Sequence, residues 1–467
     1  MIELVDMFFE YLNAMLLILG IAFILLQIGL MFSSMLQTER WINENKSIDF
    51  KKTSQSSLAP SVSLIVHVVG GSISLLDATR SLLTLYYSEK EIIIVNDGLG
   101  DDSVPEMIEK YQMVKTDYFI EYHLACKEIN AVYKSINPAY KSLILVNKKG
   151  GGASDAFNAG INVSSKTLVA CINTQLNLDP DAILKMAKPF MQSSSNDLVA
   201  VAGSILYKAS DDIGCSKKNI TKIVHKILVQ FQVIRHLNRL LFAQNNTRKL
   251  NGLSSFGYAF CVFDRSTLLY AGGVKPYDFE AQSALVLRLQ KYCLQNQKEY
   301  FLDFIPEALG QYYIDNVNLV GTKFFKKQTI QILETLRCHG NILFDTQYKT
   351  LGGLSFPYLL LLQWLVPFMV LYTSLFFMIS VASNGYIFGL LALSLFWFKI
   401  MSSLLAIIAQ QIANPKCFTN RTIYHLIILA FLEPVYHYFA LIGGFLSGNF
   451  TYLFSNIFII SKQKRID

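Results

Sequence analysis

Long apolar runs at both ends of the chain constrain the fold most. Ala14 to Leu36 carries no charged residue, and it exceeds the ~20 residues that cross a bilayer as a helix. It lacks a small-residue cleavage site of the A-x-A kind, so it reads as an anchor rather than a removable signal. Near the other end, Leu354 to Ala382 is uncharged, and Gly385 to Ala413 is broken only by Lys399. A third apolar region, Thr422 to Ile460, is interrupted by Glu433-Pro434 and by Gly443-Gly444. It reads equally as one span plus an interfacial helix or as two short spans. These runs account for a hydrophobic content of 52%, which is high for a soluble protein.

The division expected from these runs is an anchor over 1–36, a polar linker over 37–58, a folded domain over 59–350 and membrane or interfacial helices over 351–467. In the middle, β-branched runs of strand length alternate with helical spacing. Strands are expected at Ser61–Val69, Glu91–Val95, Ser142–Val146, Thr167–Ile172, Leu198–Gly203 and Tyr258–Phe263. Helices are expected at Leu75–Tyr86, Pro105–Tyr111, Ser154–Gly160, Ile220–Leu241 and Glu280–Tyr292. Such alternation with short connections predicts an α/β domain with a mostly parallel sheet covered on both faces.

The net charge of +7 forms no nucleic-acid patch. Basic residues flank the spans instead: Arg40, Lys46, Lys51 and Lys52 after the first, and Lys323, Lys326, Lys327 and Arg337 before the second. The positive-inside tendency places the middle domain in the cytoplasm of a multi-pass inner-membrane protein. The seven cysteines are scattered, with no spacing that suggests zinc. No dinucleotide fingerprint or P-loop occurs.

The stretch Asn147–Leu184 concentrates the functional signals. A Gly-rich turn leads into a short helix carrying Asn158, then an apolar strand, then the polar loop Asn173-Thr174-Gln175. The loop leads toward Asp179-Pro180-Asp181, which reads as the start of the next helix. A loop at the carboxyl end of a strand is where α/β sheets bind ligands.

Several segments together resemble membrane-bound family 2 glycosyltransferases, the group that includes bacterial synthases of cellulose, hyaluronan and poly-N-acetylglucosamine. SVSLIVHVV and EIIIVNDG are similar to the family's first two strands and the acidic turn after them. KKGGGASDAFNAGI is similar to its Gly-Gly-Lys…Asn-Ala-Gly segment, and LNLDPDAI to the helix start past its metal motif. LYAGGV and LVLRLQKY are similar to the segments flanking its catalytic acid. The resemblance implies a GT-A-type, Rossmann-like domain that binds a nucleotide-sugar through Asp97, with Asn96 beside it and Asn158 in the following helix.

The resemblance also implies a divalent cation on an Asp-x-Asp loop, a carboxylate base, and a Gln-x-x-Arg-Trp motif. In this chain the metal slot reads Asn173-Thr174-Gln175, so amides replace carboxylates at Asn173 and Gln175. The base slot reads Ala281-Gln282, with Asp278 and Glu280 one turn away. The last motif reads Leu333, Leu336 and Arg337, and the family's turn lysine is Ala153. Neutral amides hold Mg²⁺ or Mn²⁺ far more weakly than carboxylates, and neither Ala281 nor Gln282 accepts a proton. The expected function is therefore a non-catalytic glycosyltransferase-like partner or scaffold in exopolysaccharide synthesis. It would need no cofactor and would sit in the lipid bilayer beside an intact synthase or another assembly subunit.

The alternative is an active transferase with relocated groups, in which Asp278, Glu280, Asp101 or Asp102 substitutes and Mg or Mn is bound. A transporter-like protein with a sugar-sensing domain is a third reading, disfavoured by the few charges in the spans. His67 is expected at the core or rim of its strand, and Arg288 and Arg337 at the solvent or headgroup surface.

Overall fold

A computed structural model of the chain describes residues 2–45, 59–68, 75–98, 103–174, 176–192, 198–209, 220–248, 260–275, 282–314, 321–360, 386–414 and 418–463. The β-branched runs form the middle of a ten-stranded sheet of order β3-β4-β5-β2-β1-β6-β9-β8-β10-β7. Its centre is four parallel strands: β5 (Leu143–Lys148), β2 (Lys90–Asp97), β1 (Val62–His67) and β6 (Leu168–Asn173). The flanks are mixed. β3 (Met113–Thr116) and β4 (Ile129–Ser135) add antiparallel on one side. On the other side β9 (Phe260–Asp264) runs antiparallel between β6 and β8 (Leu198–Ala209), and β10 (Phe301–Ile314) pairs parallel with β8. The expected α/β class is thus a mixed sheet with a parallel core.

β1 is buried at every position, as a strand covered on both faces must be. Side chains alternate between the faces. On one side Leu64, Val66, Ile92, Ile94, Leu143 and Leu145 pack with helices α2 (Leu75–Leu83), α3 (Ser103–Lys110) and α5 (Ala182–Gln192). On the other, Ile65, Ile93, Val95, Ile144 and Val146 pack with α4 (Ala153–Val163), α6 (Ile220–Arg248) and α8 (Gln282–Gln295). Between β9 and α8 lies the short helix α7 (Arg265–Tyr270), capped by Asp264, whose carboxylate accepts from Thr267 N at 2.7 Å.

The polar loop after β6 does not lead directly into a helix. Residues Leu176–Leu178 form β7, an edge strand antiparallel to β10, and α5 begins at Ala182 rather than at Asp179. Pairing with β10, in register from Leu176 with Tyr312 to Leu178 with Gly310, holds these residues extended between the polar loop and the helix. The sequence shows little of β10 itself because Pro306 falls within it, between register shifts at Ile305 and Ala308; proline interrupts a ladder and is confined to bulges or edges.

Among the described residues, three helical segments are long and apolar enough to cross a membrane: Gly20–Glu44, Ser394–Ala413 and Asn420–Thr451. The first lies in α1 (Ile2–Asn45) and the others in α11 (Tyr386–Ala413) and α12 (Asn420–Gln463). Most of the expected run Leu354–Ala382 lies outside the described residues; its start forms the short α10 (Phe356–Leu360). α12 is one continuous helix of 44 residues through Pro434, about 66 Å at the usual rise.

α6 joins the sheet to these helices. Its Ile234 and Leu237 share one apolar core with Ala406 and Ile407 of α11 and Leu426 and Ala430 of α12. Asn238 also donates to the Ser403 hydroxyl at 2.8 Å. The amphipathic α9 (Thr322–His339) lies against α12 where glycines permit close approach: a Cβ at Gly448 would sit 2.7 Å from Thr329 Cβ.

Candidate functional site

The parallel register brings the functional candidates to one edge. Asp97 pairs with Lys148, Asn96 with Asn147, and His67 with both Val95 and Asn173. The carboxyl ends of β5, β2, β1 and β6 therefore present Lys148, Asp97, His67 and Asn173 in a row. The Gly-rich turn from β5 to α4 folds back over the end of β2. At Gly98, with φ of +72°, a Cβ would meet Gly150 N at 2.6 Å, so only glycine lets these backbones touch. Gly152, with φ of +90°, then starts α4 without a side-chain cap of its own.

Asp97 supplies that cap from the neighbouring strand. Its Oδ1 accepts from Gly151 N at 2.9 Å and its Oδ2 from Gly152 N at 2.6 Å. These amides are the donors that precede a helix and attract negative charge. Lys148 closes the arrangement. Its Nζ lies 2.5 Å from Asp97 Oδ1, 2.5 Å from Asp155 Oδ2 and 2.6 Å from Lys149 O. Its side chain is 0% exposed, and that of Asp97 only 8%. The ammonium donates to Asp97 Oδ1 and Lys149 O, and Asp155 completes its surroundings as an ion-pair partner. Burial pulls the Lys148 ammonium down, but hydrogen bonds to Asp155 and Asp97 more than offset it and hold it above the usual lysine range.

His67 Nε2 lies 3.9 Å from Asp97 Oδ2. Burial pushes this imidazole below its ordinary pKa; Asp97 works against that and Lys148 adds to it. The histidine sits at the buried rim of the sheet, as expected, and faces the clamp. Asn96 is also buried and donates to Asn147 Oδ1 at 3.1 Å.

Asn158 faces the other way along the site. Its amide donates to Ala125 O at 3.2 Å and Val274 O at 2.9 Å, and its oxygen accepts from Val274 N at 2.8 Å. Asp155, Asn158 and Asn162 form one stripe of α4, since residues three and four apart share a helix face. The chain from Tyr118 to Lys127 is fastened along it. Tyr118 OH donates to Val163 O at 3.1 Å, Leu124 N to Asn162 Oδ1 at 3.0 Å and Lys127 N to Asp155 Oδ1 at 2.9 Å. Arg288, expected at the surface, is buried instead: its guanidinium donates to Ala271 O and Gly273 O and fixes the Gly272-Gly273 turn against α4. Two unpaired carbonyls at a buried turn explain the difference, because such acceptors require donors. Arg337 is exposed, while Leu333 and Leu336 pack with the core.

The remaining slots divide sharply. Asn173 ends β6 beside His67. Gln282 begins α8. Gln175, Asp278, Glu280 and Ala281, together with Asp101 and Asp102, lie outside the described residues. Among the described residues, no three His, Cys, Asp or Glu side chains gather to hold a metal. The divalent cation implied by the resemblance does not fit the carboxylates that are described, because Asp97 and Asp155 already share the Lys148 ammonium. Lys148, the centre of the network, was missed in the sequence. Its signal was a lysine ending a strand whose first four residues, Leu143–Val146, are apolar.

No protein-family model matches the chain. Two curated relatives are poly-β-1,6-N-acetyl-D-glucosamine synthases of Staphylococcus epidermidis. One is 26% identical over 169 residues, covering 34% of this chain and 35% of that protein. The other, from strain RP62A, is 26% identical over 186 residues, covering 38% of each. The chain thus matches little more than a third of the length of these relatives. Among solved structures, a Pyrobaculum calidifontis mannosyltransferase in complex with GDP-Man and Mn²⁺ aligns at 12% identity and TM-score 0.44, over 94% of this chain and 99% of that one. Residues 1–349 of TarS from S. aureus align at 12% identity and TM-score 0.34, over 76% of this chain and 90% of that one. The chain is glycosyltransferase-like, related over part of its length to bacterial exopolysaccharide synthases.

Proposed function

We propose that the chain is a non-catalytic, GT-A-type relative of family 2 glycosyltransferases, held in the inner membrane with its sheet domain in the cytoplasm. It would act as a partner or scaffold for an intact synthase in exopolysaccharide assembly. One observation carries this reading: Asp97, the residue the resemblance assigns to the nucleobase, is spent inside the protein. Lys148, Gly151 N and Gly152 N occupy its carboxylate. The amides in the metal slot and the missing base point the same way. Metal, base and acceptor platform act as a unit in such transfers, so losing any one removes several kcal/mol of barrier lowering, about 3 or more.

The role as a partner is tested by affinity purification of the full chain from its native membrane. Recovery with a synthase subunit supports it, and recovery of the chain alone contradicts it. A second arm restores the metal slot with Asn173→Asp and Gln175→Asp. Mn²⁺ binding gained only in this variant supports loss of the metal from an otherwise intact loop.

A further inference from the structure

Lys148 enters the proposed function only as one occupant of the Asp97 carboxylate, and its own role in this buried site goes further. Each of its neighbours is accounted for. The ammonium donates to Asp97 and the Lys149 carbonyl and is ion-paired with Asp155. The second oxygen of Asp155 accepts from Lys127 N at 2.9 Å, and the Lys127 side chain donates to Gly150 O at 2.5 Å. The network is closed around the Gly-rich turn. An ionised carboxylate offers about four acceptor positions. In Asp97 three of them are filled, and the fourth side faces His67.

A nucleobase is recognised through its ring N–H donors, and a carboxylate suits them because it only accepts. Here an internal N–H donor of full positive charge already sits on Asp97. We propose that Lys148 determines specificity at this edge by exclusion: it holds Asp97 in the turn, so that a nucleobase must break a buried ion pair before it can bind. This rests on the proposed function, since it takes Asp97 as the base-contacting position.

The test is calorimetric titration of the detergent-solubilised full chain with uridine diphosphate, without metal. The wild type, Lys148→Met and the double variant Lys148→Met/Asp97→Asn are compared. Lys148→Met should bind at least tenfold more tightly than wild type, and the double variant should lose the gain. Loss of the gain with Asp97 separates release of that carboxylate from general loosening of the turn. If Lys148→Met does not melt cooperatively, Lys148→Gln carries the same comparison, because it keeps a donor but drops the charge. Equal affinity in wild type and variant, or no binding by either, overturns the role of Lys148. The two ideas fail separately. A tenfold gain in the variant leaves this inference standing even where wild-type binding of UDP-N-acetylglucosamine proves Mn²⁺-dependent and so contradicts the non-catalytic reading.

Discussion

The Nζ of Lys148 lies 2.5 Å from Oδ1 of Asp97, and the lysine side chain has no exposed surface. The two residues end adjacent parallel strands and are paired in register. A strand buried through Leu143–Val146 and ending in a lysine of no exposed surface leaves that ammonium only the sheet edge for its partners. There the carboxylates of Asp97 and Asp155 repay its desolvation. Because removal of one member of a buried pair leaves the others uncompensated, Lys148→Ala should cost about 3–5 kcal/mol. Denaturant unfolding of the full chain measures this, and a loss below about 1 kcal/mol would show that the carboxylates find water instead.

Asn158 ties two loops to α4 through three hydrogen bonds. Asn158→Ala should cost about 2–4 kcal/mol, at roughly 1 kcal/mol for each bond plus the penalty for groups left unpaired. Asn158→Asp should be as damaging despite its similar shape, since its carboxylate would face the carbonyls of Ala125 and Val274. Hydrogen exchange at Leu124 and Val274 should accelerate in both variants, and unchanged protection there would contradict the strap.

His236 stacks on Tyr207 with ring centroids 3.8 Å apart, and its Nε2 is 2.6 Å from Ile205 O. Burial lowers its pKa from 6.5 to about 4; the Ile205 hydrogen bond opposes this, and Arg239 and Arg235 add to it. The unfolded chain therefore binds the proton first. Stability from this group is complete above about pH 6.5 and is lost as pH falls toward about 4, by about 3 kcal/mol. His236→Gln should flatten stability across that window. An unchanged slope would mean that other groups set the acid limb.

α9 rests in a glycine groove of α12. A Cβ at Gly448 would lie 3.0 Å from Lys326 O and 2.7 Å from Thr329 Cβ. Gly448→Leu should displace α9 at a cost of about 1–3 kcal/mol and speed tryptic cleavage at the exposed Lys323 and Lys327. Gly353, with nothing within 4 Å of its Cβ position, is the control: Gly353→Leu should leave cleavage unchanged.

The parallel core was legible in the sequence because both its faces are buried, which forces the β-branched runs of β1, β2, β5 and β6. The site's scaffold was legible too, since Asp97 and the Gly-rich turn are punctuation that a short sequence window contains. What could not be read is contact between strands. Lys148 and Asp97 are 51 positions apart, and only the register of β2 with β5 joins them. β7 was hidden because three residues carry no periodicity, and β10 because Pro306 and Gly310 argue against a strand. Asn158 was singled out in the sequence as a nucleotide contact; the three backbone hydrogen bonds it makes come from loops that only the fold brings to α4.

The central claim is that this edge of the sheet is occupied by the protein itself and runs no transfer reaction. Its most direct test is calorimetric titration of the wild-type, detergent-solubilised chain with UDP-N-acetylglucosamine in the presence of Mn²⁺. The account predicts no saturable, metal-dependent binding in the micromolar range. Micromolar binding that disappears when Mn²⁺ is chelated would contradict it.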